Sequence, residues 1–167
     1  MGELGRKFAG PNRARTVTAL IQAYADEWFA HYNFQFAANA LWWHHSPSTT
    51  ALLSRKSAEA FARTNRLAQR IMQLGGQPVP KLTDLVAHAT DKPFKLPASM
   101  ADVAGVLKAV IDAERTSLRT YQRVYEMTRI KDPVTALLAQ QYLAAVVEGE
   151  EELERLIGDH APAMKGT

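Results

Sequence analysis

Tyr24-Ala-Asp-Glu-Trp-Phe-Ala-His-Tyr-Asn-Phe34 is the stretch on which the reading of this chain turns. It lies in a long helical pattern whose apolar positions recur at Leu20, Tyr24, Phe34, Ala38 and Leu41. Glu27 and His31 fall on that same stripe, at spacings that keep a residue on one helix face. A carboxylate on a buried stripe must be neutralised by protonation, by a cation or by a metal. A second one stands at Glu114, in the stripe Leu107, Ile111, Glu114, Leu118, Tyr121, Tyr125. What lies between Glu27 and Glu114 is the question the sequence poses.

Outward from that stretch, the patterning gives four long helices and no strand. The first runs from about Ala14 to Trp43 and is closed by His44-His45-Ser46-Pro47, because a residue before proline is pushed out of the helical region. The second starts at Ser48-Thr49-Thr50, which can cap it, and ends at Leu74-Gly75-Gly76. Its stripe reads Leu53, Ala60, Thr64, Leu67, Ile71, Leu74. A long connection follows, Gln77 to Ala98, with Pro78, Pro80, Pro93 and Pro97 and room for a short helix around Lys81 to His88. Ser99-Met-Ala-Asp102 is a start signal for the third long helix, which reaches about Arg129. Asp132-Pro133 opens the fourth, with Asp as cap and Pro at the first helical position, and it stops at Gly158. Short turns make antiparallel pairs of the first two and last two helices. The long middle segment then carries the chain from one end of the bundle to the other. The expected fold is all-α, a four-helix bundle with a long crossover between the second and third helices.

The 167 residues suffice for one domain with a sizeable core. The division expected is a basic arm over residues 1–13, the bundle over 14–158 and a tail over 159–167. With no cysteine, neither disulfides nor thiolate metal sites are available. No apolar run approaches a membrane span, and Met1 to Arg15 lacks a hydrophobic signal core, so a cytoplasmic protein is expected. The net charge of +3 is mild, but Arg6, Lys7, Arg13 and Arg15 are clustered. Such an arm can meet DNA phosphates or simply stay solvated, and both readings are open.

Ala23-Tyr-Ala-Asp-Glu-Trp28, Gln69-Arg-Ile-Met-Gln-Leu-Gly-Gly76, the Glu114 to Tyr121 spacing and Lys131-Asp-Pro-Val-Thr135 resemble the Dps-like branch of the ferritin superfamily, close to bacterioferritins. The likeness runs from about Val17 to Gly158. It implies a ferritin-like four-helix bundle, iron oxidation and storage in protection against oxidative stress, and homo-oligomers ranging from a dimer to a cage of twelve. It also implies a di-iron site of six residues: a Glu from the first and third helices and a Glu-x-x-His pair from each of the others. The two single Glu positions match Glu27 and Glu114. The two pairs fall on Ala60 and Arg63 and on Val146 and Gly149, so four ligands are missing.

An arginine can supply the lost positive charge. Arg63 lies on the core side of the second helix, where its guanidinium can pair with Glu27, Glu114 or both, and a core ion network of Arg63, Glu27 and Glu114 is expected in place of the metal. The competing reading is a displaced metal site using Glu27, His31 and Glu114, with Glu148 or Glu150 turning inward. A third is a small-molecule pocket in the space left by Ala60, Val146 and Gly149. Under the first reading the protein is a ferroxidase-inactive scaffold or cage subunit, without catalytic residues or cofactor; iron enters only under the second. Trp42-Trp43-His44-His45, with Trp28, Phe34 and Phe36, suggest burial against a neighbouring subunit. The interface methionine that would ligate haem in a bacterioferritin is replaced by Phe61.

Overall fold

A computed structural model describes residues 12–41, 47–90, 95–99 and 101–160. The described residues form five helices: α1 Arg13–Leu41, α2 Pro47–Gln73, α3 Leu82–His88, α4 Val103–Thr128 and α5 Pro133–His160. Trp42, Trp43, His44, His45 and nearly all of the basic arm lie outside them.

Side-chain contacts give the directions of the four long helices. Glu27 meets Arg63 while His31 meets Ser57, so α1 and α2 are antiparallel. Arg70 meets Asp132 while Arg55 meets Glu152, so α2 and α5 are antiparallel. Gln22 meets Arg123 and Glu27 meets Tyr121, so α1 and α4 are antiparallel too. It follows that α2 and α4 run the same way. The segment joining them has to travel the length of the bundle, which is the expected crossover. It is tied down on the way: the Thr90 N–H donates to Asp26 Oδ1 at 2.5 Å, and Gln22 bonds the Thr90 hydroxyl.

The helix ends follow local chemistry. Gly75, at φ +80°, closes α2 in the left-handed conformation, and the N–H of Gly76 returns to the Ile71 carbonyl at 2.9 Å. Pro47 already belongs to α2, one residue earlier than the expected cap, since the first turn needs no N–H there. The start of α4 differs from expectation more clearly. Its cap is Asp102 rather than Ser99: the carboxylate accepts from Gly105 N at 2.8 Å, and the Ser99 hydroxyl accepts from Ala101 N instead. The α5 cap is Asp132, which accepts from Thr135 N at 3.1 Å. That helix runs through Gly158 to His160.

The interior has three levels. One apolar cluster gathers Phe34, Leu41, Leu53, Val106, Leu107 and Leu153. Another gathers Leu20, Leu67, Ile71, Leu74, Tyr121 and Val124. Among them, on the facing stripes of the four long helices, lie Glu27 with Arg63, and Lys56 with Glu114 and opposite Gly149. This waist is ionic.

Candidate functional site: an ionic waist in the bundle

Each member of the waist is aimed inward by its place on a helix stripe. Glu27 is 1% exposed and Glu114 3% exposed, so both carboxylates are removed from water. Arg63 Nε lies 2.9 Å from Glu27 Oε2, as an ion contact without an aligned hydrogen bond: both atoms lack a hydrogen-bond partner among the described residues. The aligned bond to Glu27 comes from α4, where the Tyr121 hydroxyl donates to Oε1 at 2.5 Å. Glu114 is met by a different cation. Lys56 Nζ donates to Glu114 Oε1 at 2.8 Å, with both side chains buried.

Of the network read from the sequence, Arg63 touches Glu27 directly, and Glu114 lies within electrostatic reach of both; the sequence reading missed Lys56, which meets Glu114. Lys56 reaches the interior for a steric reason. Lys56 sits between Leu53 and Ala60 on the inner stripe of α2, and its ammonium occupies the space a side chain at position 149 would take. A Cβ on Gly149 would lie 2.2 Å from Nζ. The volume expected for a pocket at Gly149 is therefore filled by Lys56. The signal that could have found it was present: a lysine at helical spacing within an apolar stripe, opposite a glycine.

Burial pushes the Glu27 carboxyl above the usual carboxylate range, while Arg63 and the Tyr121 hydroxyl bond pull it back. Burial works against the Arg63 charge, but Glu27 overrides it and holds the guanidinium above its ordinary value. Tyr121 is raised by burial and by the Glu27 charge. Tyr142, whose ring meets that of Tyr121 at 5.1 Å, is pushed up to about 12, mainly by burial.

His31 does not join the carboxylates. Its Nδ1 lies 2.8 Å from Ser57 Oγ and 3.0 Å from the Ser57 carbonyl, and its ring sits against Trp28 and Phe61. The triad Glu27, His31, Glu114 is therefore not assembled, because a backbone carbonyl on α2 turns the imidazole aside. Glu150 pairs with Arg115 at 2.7 Å on the outside, and Glu148 is exposed. Among the described residues no three His, Asp or Glu side chains gather closely enough to hold a metal.

Four helices joined by a lengthwise crossover, with one inward Glu on the first and another on the third long helix, form the frame of the carboxylate-bridged di-metal bundles. Residues 17–161 match the model of the ferritin-like domain, and the chain belongs to that family. It is similar to the dodecameric thioferritin of Bacteroides fragilis, a bacterioferritin-related protein, at 23% identity and TM-score 0.88 over 96% of this chain and 95% of that one. It is also similar to Dps from Thermosynechococcus elongatus, at 19% identity and TM-score 0.76 over 93% and 95% of the two chains. For a Dps mutant from Listeria innocua the values are 16% and 0.77, over 86% and 93%. No curated protein matches the chain. None of the described helices is long and apolar enough to cross a membrane.

Proposed function

We propose that this protein is a subunit of a ferritin-like homo-oligomer in which two buried ion pairs stand where the di-iron centre would be, so that the bundle itself does not oxidise iron. One observation carries this reading: an ammonium and a guanidinium lie against the two carboxylates that would bridge the metals. A di-iron centre needs oxygen and imidazole donors converging on the ions. Here Ala60 and Val146 offer no donor, and Gly149 makes room for a lysine. The residues present do not fit the iron pair.

Exposed Phe36, Phe61, Ile130, Val134 and Leu137 support assembly, since apolar surface of this kind is usually covered in oligomers. A cage of twelve, as in the B. fragilis relative, is the assembly this reading favours. The iron test compares the wild type with Glu27→Gln, each mixed with ferrous iron with and without peroxide, followed by metal analysis. Oxidation is expected to follow the course seen in buffer, with no iron retained in either protein. A stoichiometric iron load in the wild type that disappears in Glu27→Gln would overturn the proposal. Light scattering on the purified chain reads the assembly directly.

A further inference from the structure

Tyr121 holds its proton against a base. Its hydroxyl donates to Glu27 Oε1 at 2.5 Å, the length of an O–H bond to a carboxylate, and each residue is only 1% exposed. The two oxygens of Glu27 have separate tasks. Oε2 faces Arg63 Nε at 2.9 Å and keeps the charge balanced, while Oε1 receives the phenol. Burial and the Glu27 charge keep Tyr121 protonated, and burial makes Glu27 a stronger proton acceptor than an exposed carboxylate. The proton thus has a receiver in contact with it, and no cause to move while the phenol is neutral.

Taking an electron from the ring reverses that order. An oxidised phenol is a strong acid and yields its proton to a base within hydrogen-bond reach, so a phenol lacking such a base is much harder to oxidise. Tyr142 supplies the contrast. Its ring meets that of Tyr121 at 5.1 Å, yet its hydroxyl is buried without a hydrogen-bond partner among the described residues. Of the two touching phenols, Tyr121 is the one that can shed a proton inside the bundle. An electron can cross a few ångströms of packed protein to reach an oxidant. A second phenoxyl cannot enter to couple with the first.

We infer that Tyr121 is a reversible one-electron donor that quenches strong outer-sphere oxidants, its proton passing to Glu27 Oε1 as the electron leaves. The step balances. The oxidant gains one electron, the Tyr121 O–H bond breaks, an O–H bond forms on Glu27, and a neutral phenoxyl radical remains. An electron from a reductant such as ascorbate returns the proton to Tyr121. The inference rests on the reading that no iron holds Glu27, which leaves Oε1 available as the base.

Metal-free full-length protein is mixed with one equivalent of hexachloroiridate(IV), frozen and read by electron paramagnetic resonance, while stopped flow follows the loss of the oxidant. A phenoxyl signal is expected in the wild type and in Tyr142→Phe, absent from Tyr121→Phe, and removed by ascorbate with the intact mass unchanged. Glu27→Gln keeps the ring but loses the base, and should slow the oxidation by about a hundredfold, the low end of what a positioned base contributes. The wild type should also react more slowly in heavy water, because an O–H bond breaks in the step. That comparison uses the wild type alone and stands even if Glu27→Gln fails to fold. An undiminished phenoxyl signal in Tyr121→Phe would overturn the inference. So would equal rates in heavy and ordinary water, or the full rate in folded Glu27→Gln. Iron is absent throughout, so failure here is distinct from failure of the ferrous-iron test.

Discussion

Among the described residues two arginine–carboxylate contacts are buried, and they are built differently. At the end near the α4–α5 turn, Asp132 accepts from Arg70 Nη2 at 2.7 Å, from Thr135 N at 3.1 Å and from the Thr135 hydroxyl at 2.6 Å. Arg70 completes the set by donating through Nε to that hydroxyl and through Nη1 to Gln73. At the waist, Glu27 has one aligned bond, from Tyr121, and an unaligned contact with Arg63. The first group is anchored by the backbone of a helix start, so its donors are placed by the fold itself. The second relies on long side chains reaching from α2 into a position set by the crossing of helices. Buried charge that is fully hydrogen-bonded locks a structure, whereas buried charge that is only balanced is tolerated.

Removing the balance should expose the difference most strongly. Arg63→Ala is expected to cost about 3–5 kcal/mol at neutral pH, because Glu27 is left buried and charged. Glu27 has a raised pKa when folded, so the native state holds its proton where the unfolded chain has lost it. Its contribution to stability is therefore greatest below the ordinary carboxylate value and declines as pH rises through the folded one. Without Arg63 that pKa moves further up. The cost of Arg63→Ala should then shrink as the solution is acidified, which urea unfolding across a pH series can follow. A cost that stays flat with pH would break the distinction between the two contacts.

Lys56→Met comes next, at about 3 kcal/mol, since it strands Glu114. Combining it with Glu114→Leu should return the urea midpoint to the wild-type value or above it, as replacing a whole buried pair often does. If the double variant is no more stable than Lys56→Met alone, the pair is holding the fold rather than filling a site. The smallest effect is expected from Gly149→Ala, where the new methyl group meets the end of the lysine chain. That side chain can shift, so a loss of about 1–3 kcal/mol is expected, and it should largely vanish in a Lys56→Met background.

The frame was legible in the sequence because it rests on local signals. Leu74-Gly75-Gly76 and Asp132-Pro133 mark helix ends by backbone chemistry alone, and the proline-rich connection marks the crossover. The position of Arg63 on the inner face followed from counting back from those glycines. The partner of Glu114 was not read, although Lys56 stands at helical spacing in the α2 stripe, because its reach across the interior depends on position 149 lacking a side chain. The orientation of His31 was hidden for a similar reason. Its stripe position suggested company with Glu27, but Ser57 on the neighbouring helix supplied closer acceptors. Choosing Ser99 over Asp102 as the cap of α4 failed because both residues carry the right chemistry three positions apart.

The distribution of charge in the waist also divides the chain into unlike halves. The first hairpin, α1 with α2, contains Glu27 and its arginine plus one surplus cation, Lys56. The second, α4 with α5, contributes Glu114, whose cation comes from the other half. Two copies of the first hairpin docked on each other would face ammonium with ammonium, and two copies of the second would face carboxylate with carboxylate. Only the unlike pairing of hairpins leaves this waist neutral, with the single lysine of one half meeting the carboxylate of the other.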